Sequence, residues 1–480
     1  MTNPPNSTMR ILLFLLALPL AISLSAQAPW TLEQCMKRAE ERNLDLRNAS
    51  LDADLASKAH EQAYWSFLPN LNAGATHGYN WGRTIDQYSN TFATSRVRTD
   101  NLYLSSDVTL FQGGRKVHQL KRSALDEEAS QKGLEAMKND IETSVVRAYL
   151  DLLGLREQQH AAEDQAQATR DQSAVTQAML DAGRVARADL LDIQSQLAQE
   201  EYTVTNLQIQ ADKAKLTLAQ LMQLDEAELS GFDIVAPSVD EMDVVEPTAT
   251  EDQVLKNVVT TNPAYAQADL NAQSAEHGVA IAKSGAFPSL SFGASLGSGY
   301  SGRNYQAIGE PVLSGATQIG ETADHVPVYT PTYSQETRVE SFGDQLNDNL
   351  NKSVGFTLSV PLFNNMQNRY AADQARVQQE KAANAIIATH NTLEIDVQNA
   401  LTAQRGAYKQ YMRAKFAVDA STESLRLANE RFDHQVITVT DLNVAKSRMQ
   451  QATSQLIQAK YTYLMAEKSL DILQGIPVTL

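Results

Sequence analysis

The chain repeats itself. Placing residue 31 against residue 250 aligns Thr31-Leu32-Glu33-Gln34 with Thr250-Glu251-Asp252-Gln253, and the same offset of 219 pairs Pro69-Asn70-Leu71 with Pro288-Ser289-Leu290. Further on the offset becomes 252, which pairs Leu110-Phe111 with Leu362-Phe363, Asp189-Leu190 with Asp441-Leu442, and Leu218 and Leu221 with Leu470 and Leu473. The second copy thus carries about 33 extra residues between Pro288 and Phe363. An internal duplication uses one structural unit twice, so whatever the first copy builds, the second must match.

Each copy reads helix, strand, loop, strand, long helix, turn, helix. The first repeat spans 29–224, with strands at about 71–81 and 102–111, a long helix over 113–183 and a returning helix over 189–224. The second spans 251–476, with strands at about 290–300 and 352–362, a long helix over 364–435 and a returning helix over 441–476; residues 225–250 join the repeats and 477–480 form a tail. The strands alternate with period 2. Leu102, Leu104, Ser106, Val108 and Leu110 lie on one face against Tyr103, Ser105, Asp107 and Thr109, and Val354, Phe356, Leu358 and Val360 oppose Ser353, Gly355, Thr357 and Ser359. In the other two strands the second face is small and polar, with Asn72, Gly74, Thr76, Gly78 and Asn80, and Ser291, Gly293, Ser295, Gly297 and Gly299.

A half-buried sheet on a globular core alternates in the same way. Two features favour a bilayer instead: strands of about 10 residues have the length needed to cross at a tilt, and a small hydrophilic face suits a water-filled lumen. Tyr79, Trp81 and Tyr300 fall at the loop ends, where an aromatic girdle sits. A closed barrel with a lumen needs about eight strands or more. Four per chain therefore imply that several chains share one barrel.

The helices carry seams at spacings of 3 and 4. One runs through Leu442, Ala445, Met449, Ala452, Leu456, Ala459, Tyr463, Ala466, Leu470 and Leu473; the other, from Leu190 through Ile193 and Leu197 to Leu218 and Leu221, is interrupted by Glu200. Such seams belong to coiled coils. The 71 residues from Gly113 to Gly183 contain no proline, and as one helix they rise about 105 Å. Asp189–Leu224 has 36 residues and Glu251–Phe287 has 37, while Asp441–Ile476 has 36 and Thr31–Leu68 has 38. Two such helices end to end match one long helix, which suggests a wall of long helices beside stacked pairs.

Composition closes other doors. With 57 acids against 40 bases the chain offers no general grip on nucleic acid. One cysteine excludes an internal disulfide framework, and the eight histidines have no metal-ligand spacing. No nucleophile, base or cofactor cluster recurs at a usable spacing, so no catalytic, cofactor or metal site is expected. Gly297-Ser298-Gly299-Tyr300-Ser301-Gly302 fits a dinucleotide fingerprint, but no helix follows it. Residues 1–28, with Arg10, the apolar run Ile11–Leu24 and Ala26-Gln27-Ala28, read as a cleaved secretory signal, starting at Met1 or Met9. Cys35 reads as a helix-face thiol in a poor context for lipid attachment. Asp225–Asp252 holds ten acids and no Lys or Arg, a solvated girdle. Arg303–Gln345, rich in Gly, Pro and Thr, reads as an external loop.

Thr31-Leu32-Glu33-Gln34-Cys35, Phe67-Leu68-Pro69-Asn70-Leu71, Leu110-Phe111-Gln112-Gly113-Gly114-Arg115, Pro361-Leu362-Phe363-Asn364-Asn365, and Ala182-Gly183 followed by Asp189-Leu190-Leu191-Asp192 occur in this order over residues 31–476. In these motifs the chain resembles the TolC-like outer membrane efflux proteins, the outer-membrane channels of tripartite efflux and type I secretion systems. The resemblance implies a mainly α fold with a transmembrane β part: a homotrimeric 12-stranded β-barrel, 4 strands per chain, continued by a long periplasmic α-helical coiled-coil barrel of twelve helices, built from two tandem repeats. It implies a passive exit duct for small molecules, metal ions or proteins in the outer membrane of a Gram-negative bacterium. The implied partners are outer-membrane lipid, a periplasmic adaptor (membrane fusion) protein and an inner-membrane RND or ABC-type transporter. Gly183, Asp189, Asp192 and Asp441 fall where the family places its tip turn and constricting acids, with Arg184 and Arg187 close by. They set cation preference or gating, or they are solvated turn residues and helix caps. Val444 stands where a second Asp192 would be, Gln435 replaces Gly183, and Asn365 takes a glycine position of the post-strand turn. The alternative from another class is a structural coiled-coil or adhesin-like envelope protein without channel activity.

Overall fold

The computed structural model describes residues 29–85, 90, 92–93, 96–235, 244–434 and 436–479. The signal-like segment, Gln435 and part of the acidic linker lie outside them. The chain packs as two units, a helical one of residues up to Ser50, Gly133–Ala264 and His390–Leu480, and a mixed one of Leu51–Lys132 and Tyr265–Thr389.

Four helices supply most of the helical unit: parts of α3 (Arg115–Asp181) and α9 (Gln367–Asp433), each 67 residues without a break, and the 35-residue α4 (Arg187–Leu221) and α10 (Val439–Leu473). Their buried residues follow the seams. Leu190, Ile193, Ala211, Ala214 and Leu218 of α4 and Leu442, Ala452, Ala459, Tyr463, Ala466 and Leu470 of α10 are buried, and of these Ala211, Ala214, Leu218, Tyr463 and Ala466 pack with Val145, Tyr149, Leu152 and Leu153 of α3 in one apolar cluster. Alanine at so many seam positions lets helix axes approach closely, which makes a thin wall.

The chain from Trp30 is stitched into this cluster. Trp30 accepts from Val235 N–H at 2.9 Å and donates to the Asp233 carbonyl at 2.7 Å, and the Tyr149 hydroxyl donates to the Val235 carbonyl at 2.7 Å. Cys35, on α1 (Leu32–Arg42), is fully buried. Burial, with a smaller contribution from Glu33, pushes its thiol up to about 12. It is a packing residue. The acidic linker is less solvated than its composition suggests: α5 (Glu226–Gly231) forms within it, Phe232 and Ile234 enter the core, and Glu228 and Asp233 pair with Arg38 and Arg156. Charge composition alone did not show that its few apolar residues dock.

Each helix expected upstream of a strand is in fact two. The first divides into α1 and α2 (Leu44–Trp65) at Asn43, the second into α6 (Glu251–Thr261) and α7 (Pro263–Ser284) at Asn262. These asparagines are equivalent under the offset of 219. The Asn43 side chain accepts from the backbone of Asp45 at 2.9 Å and Leu46 at 3.2 Å, and that of Asn262 accepts from Ala264 at 2.9 Å. An asparagine that caps a new helix ends the old one.

The mixed unit is built on an antiparallel sheet ordered β1-β4-β5-β8, from β1 (Asn72–Asn80), β4 (Val97–Gln112), β5 (Ser289–Ser301) and β8 (Asn351–Ser359). Two-residue strands β2 (Thr84–Ile85) and β3 (Phe92–Ala93) pair with each other beyond β1. β4 begins five residues before the expected Leu102, because Val97–Asn101, polar but for Val97, still pair with Thr76–Asn80. β8 ends at Ser359, so Val360 lies just past it; Pro361 has no N–H to continue a ladder.

The segment 303–345 is not a loop. It holds β6 (Tyr305–Glu321) and β7 (Pro327–Val339), paired as a separate two-stranded arm, and then α8 (Phe342–Asp348). Its alternation is hidden by three register shifts in the arm, near Gly309, Ser314 and Ile319. The long helices start at Arg115 and Gln367, two to three residues later than expected, after pairs in the left-handed region: Gly113 and Gly114 at φ 57° and 77°, Asn365 and Met366 at 54° and 63°.

Candidate functional site

The sheet register assigns every strand side chain to a face, because directly paired residues of an antiparallel ladder point the same way. Leu102 pairs with Ala75 and Ser298, Leu104 with Ala73 and Leu296, Val108 with Phe292, Phe292 with Phe356, Leu290 with Leu358 and Ala294 with Val354. The apolar residues expected on separate strands thus form one continuous face. A bulge sets both Leu110 and Phe111 opposite Leu290. The rings of Phe292 and Phe356 stand 5.0 Å apart on this face. On the reverse are Asn72, Gly74, Thr76, Tyr103, Ser105, Asp107, Gly293, Ser295, Gly297, Ser353, Gly355 and Thr357.

Among the described residues nothing covers the apolar face. Val354, Phe356 and Leu358 are 76%, 69% and 66% exposed, and Leu102, Leu104 and Leu110 are exposed as well, with Val108 half-buried between strands. Fully burying each such side chain is worth about 1.5–3 kcal/mol. A fold that leaves this many uncovered has an apolar surrounding to put them in. The strands β1 and β8 each have one partner, so both sheet edges are open.

At one end of the sheet the outward side carries rings. Tyr79 lies 6.2 Å from Trp81, and Tyr300 lies 5.4 Å from Phe342. The Arg96 guanidinium sits 4.6 Å above Tyr79, and that of Arg98 5.0 Å above Tyr300. Phe342 and both arginines are additions to the three expected aromatics; the arginines are read over the rings only once the register is known.

In the helical unit, α3 ends on Gly183 at φ 70°. Gly183 N–H donates to the Leu180 carbonyl and Arg184 N–H to Met179, both at 2.9 Å. That is a Schellman ending, which a glycine satisfies without a Cβ penalty. The corresponding bond in the second repeat, from Val436 N–H to the Arg431 carbonyl, is present at 2.8 Å. Three residues on, each turn feeds the next helix through an acid. The Asp189 carboxylate accepts from Ala186 N–H at 3.0 Å. Asp441 accepts from Thr438 N–H at 3.1 Å and its hydroxyl at 2.7 Å, and Thr438 Oγ1 accepts from Asp441 N–H at 3.1 Å, a complete capping box. Asp189 and Asp441 are therefore helix caps in the single chain. Asp192, Arg184 and Arg187 are exposed, and among the described residues none of the three makes an ion pair within the chain.

The Thr438 hydroxyl and N–H hold the Asp441 carboxyl below its ordinary range. A lowered carboxylate pKa contributes fully above the unfolded value, about 3.9, and is lost as pH falls through the lowered one. Amide exchange at the first turn of α10 is expected to stay protected at pH 5 and to rise only in stronger acid. Asp441→Asn should remove that pH dependence, and exchange that instead rises between pH 7 and 5 would contradict the assignment.

One pair of charges lies inside the wall. Glu200, at the seam interruption, is buried and accepts from Gln196 at 2.9 Å and Gln165 at 3.3 Å through Oε1, while Oε2 has no partner. Lys446 of α10 is also buried; burial lowers its pKa and the Glu200 charge opposes that shift. Lysines are read as surface residues from sequence, so nothing singled out Lys446.

The sequence profile of the outer membrane efflux protein family matches residues 35–223 and 254–475, one segment per repeat. Solved structures with the same fold include the CmeC outer membrane channel of Campylobacter jejuni (16% identical, covering 92% of this chain and 85% of that one, TM-score 0.74). The VceC outer membrane protein of Vibrio cholerae is 16% identical over 92% and 96% of the two chains, with a TM-score of 0.72. The open-state MtrE outer membrane channel of Neisseria gonorrhoeae is 19% identical over 93% and 89%, with a TM-score of 0.70. No curated protein sequence matches the chain. The chain belongs to the outer membrane efflux protein family. It is an outer-membrane efflux channel, and the coiled-coil or adhesin alternative has no support; the family consists of channels rather than enzymes. Channels of this family are homotrimers that work with periplasmic adaptors and inner-membrane pumps.

Proposed function

We propose that three copies of this chain join β8 of one to β1 of the next, and that Leu102, Leu104, Val108, Leu110, Val354, Phe356, Leu358 and Val360 face lipid while the glycine- and serine-rich side lines the lumen. The open edges of a four-stranded sheet with one uncovered apolar face carry this reading. Tyr79, Trp81 and Tyr300 form the girdle at one membrane interface, where amphipathic rings are favoured. The chain is built from two tandem repeats, 29–224 and 251–476, whose long and returning helices form the periplasmic tunnel wall, and cargo enters from an RND or ABC-type pump through an adaptor. Electrophoresis of the detergent-extracted protein without heating is expected to give a trimer that boiling converts to monomer. Monomer in both lanes would contradict the shared barrel.

We further propose that the threefold copies of Asp189, Asp192 and Asp441, with Arg184 and Arg187, surround the tunnel constriction at the Gly183 turn. A cap can also contribute to a ring of negative potential, and the Thr438 bonds that hold the Asp441 carboxyl low favour its charged form. Replacing all three acids by Asn is expected to weaken cation preference in single-channel recordings, and unchanged ion preference would remove the acids from that role.

A further inference from the structure

Export through a barrel does not call for the arm of β6 and β7. Its base is fixed by a buried side chain: Gln345 is fully buried, accepts from Ser301 N–H at 2.9 Å, and donates to the carbonyls of Ser301 at 3.0 Å and Glu340 at 2.9 Å. Asn304 and Glu340 add a backbone bond of 2.9 Å and a side-chain bond of 2.8 Å across the root. Such a network, satisfied on both sides, aims the arm rather than leaving it a free loop. Among the described residues, the arm beyond its root is hydrogen-bonded to no other strand.

The register divides the arm into two unlike faces. Tyr305, Leu313, Ala316, Tyr329, Pro331 and Tyr333 share one, through the pairs Leu313 with Tyr333 and Ala316 with Pro331. The opposite face carries Thr317, Thr330, Thr332, Ser334, Glu336 and Arg338 together with Ile308, Val312 and Val328, but no aromatic ring. Leu313 and Tyr333 are 62% and 63% exposed. A two-stranded hairpin is marginal by itself in water, and one that shows tyrosines and leucine on a single face needs a cover.

We infer that the cover is a second copy of this chain: the tyrosine–leucine faces of the three arms pack together as a collar at the mouth of the trimer. This rests on the trimeric reading. The arm is inserted between β5 and β8, and β8 is the open edge through which neighbouring copies join, so threefold symmetry places three arms on one rim. Twelve strands about 4.8 Å apart and tilted about 40° put the roots ~20 Å from one another, while an arm strand extends ~43 Å, enough to lean across that gap. The packing face carries one charged side chain, Glu321 at the far end of the arm, paired with Pro327.

Cysteine placement tests this, starting from Cys35→Ser so that the chain has no other thiol. Tyr333→Cys lies on the packing face, Ser334→Cys on the reverse, and Gln318→Cys replaces an exposed polar residue paired with Tyr329 on the packing face. Outer membranes are treated with a flexible bismaleimide and run on denaturing and unheated gels. Covalent dimers are expected for Tyr333→Cys and Gln318→Cys and monomer for Ser334→Cys. Monomer from all three, equal cross-linking from both faces, or adducts with a different protein would overturn the collar. If the unheated gel still shows the trimer, only the collar fails; without the trimer, the shared barrel fails as well.

Discussion

Phe356→Arg is expected to abolish the trimer in outer-membrane fractions, whereas Thr357→Arg, one residue along, should leave assembly intact. The register places Phe356 on the uncovered apolar face, next to Phe292, and Thr357 on the reverse, opposite Ser291. An arginine on the lipid face near the bilayer midplane costs about 2–4 kcal/mol per chain, and threefold symmetry applies that cost three times. The lost ring contact adds about 0.5–1.5 kcal/mol. A charge on the lumen side meets water and changes conductance rather than folding. Equal loss of trimer in both variants would mean that the two faces are not divided between lipid and water.

Gly113→Ala should be nearly as damaging, for a reason internal to one chain. At φ 57°, a Cβ on residue 113 would stand 2.8 Å from the Cβ of Phe287 and 2.9 Å from the Ser284 carbonyl oxygen. The backbone strain is about 1–3 kcal/mol, and overpacking adds about 1–3 kcal/mol, because neither neighbour is the free end of a long side chain. Gly183 has a similar φ of 70° but nothing within 4 Å. Gly183→Ala should therefore lower the melting temperature of the extracted trimer clearly less than Gly113→Ala does. Equal shifts would show that the clash at Phe287 is relieved at no cost. The second repeat holds Asn365 and Met366 in left-handed conformations at the equivalent turn, so it tolerates there what packing forbids at Gly113.

The parts of the fold that rest on periodicity are legible in the sequence. The strand faces around Leu104 and Phe356 show because side chains alternate strictly, and the helix seams show because a tunnel wall is apolar at every third or fourth residue. What escapes is decided by single side chains or by contacts across long separations. One asparagine, at 43 and again at 262, divides each upstream helix. The arm is obscured because bulges on β6 break the alternation while β7 keeps it. Within the candidate site, the capping box Thr438-x-x-Asp441 is readable by spacing. The burial of Lys446 beside Glu200 is not, since it depends on how α10 lies against α4. The stacking of Arg98 on Tyr300 likewise needs the β4–β5 register.

Single-channel recording of the detergent-extracted complex in planar bilayers tests the central assignment most directly. An exit channel with a lumen lined by Gly74, Ser295 and Thr357 predicts discrete conductance steps that favour cations. A complex that enters the bilayer and produces no steps would contradict it.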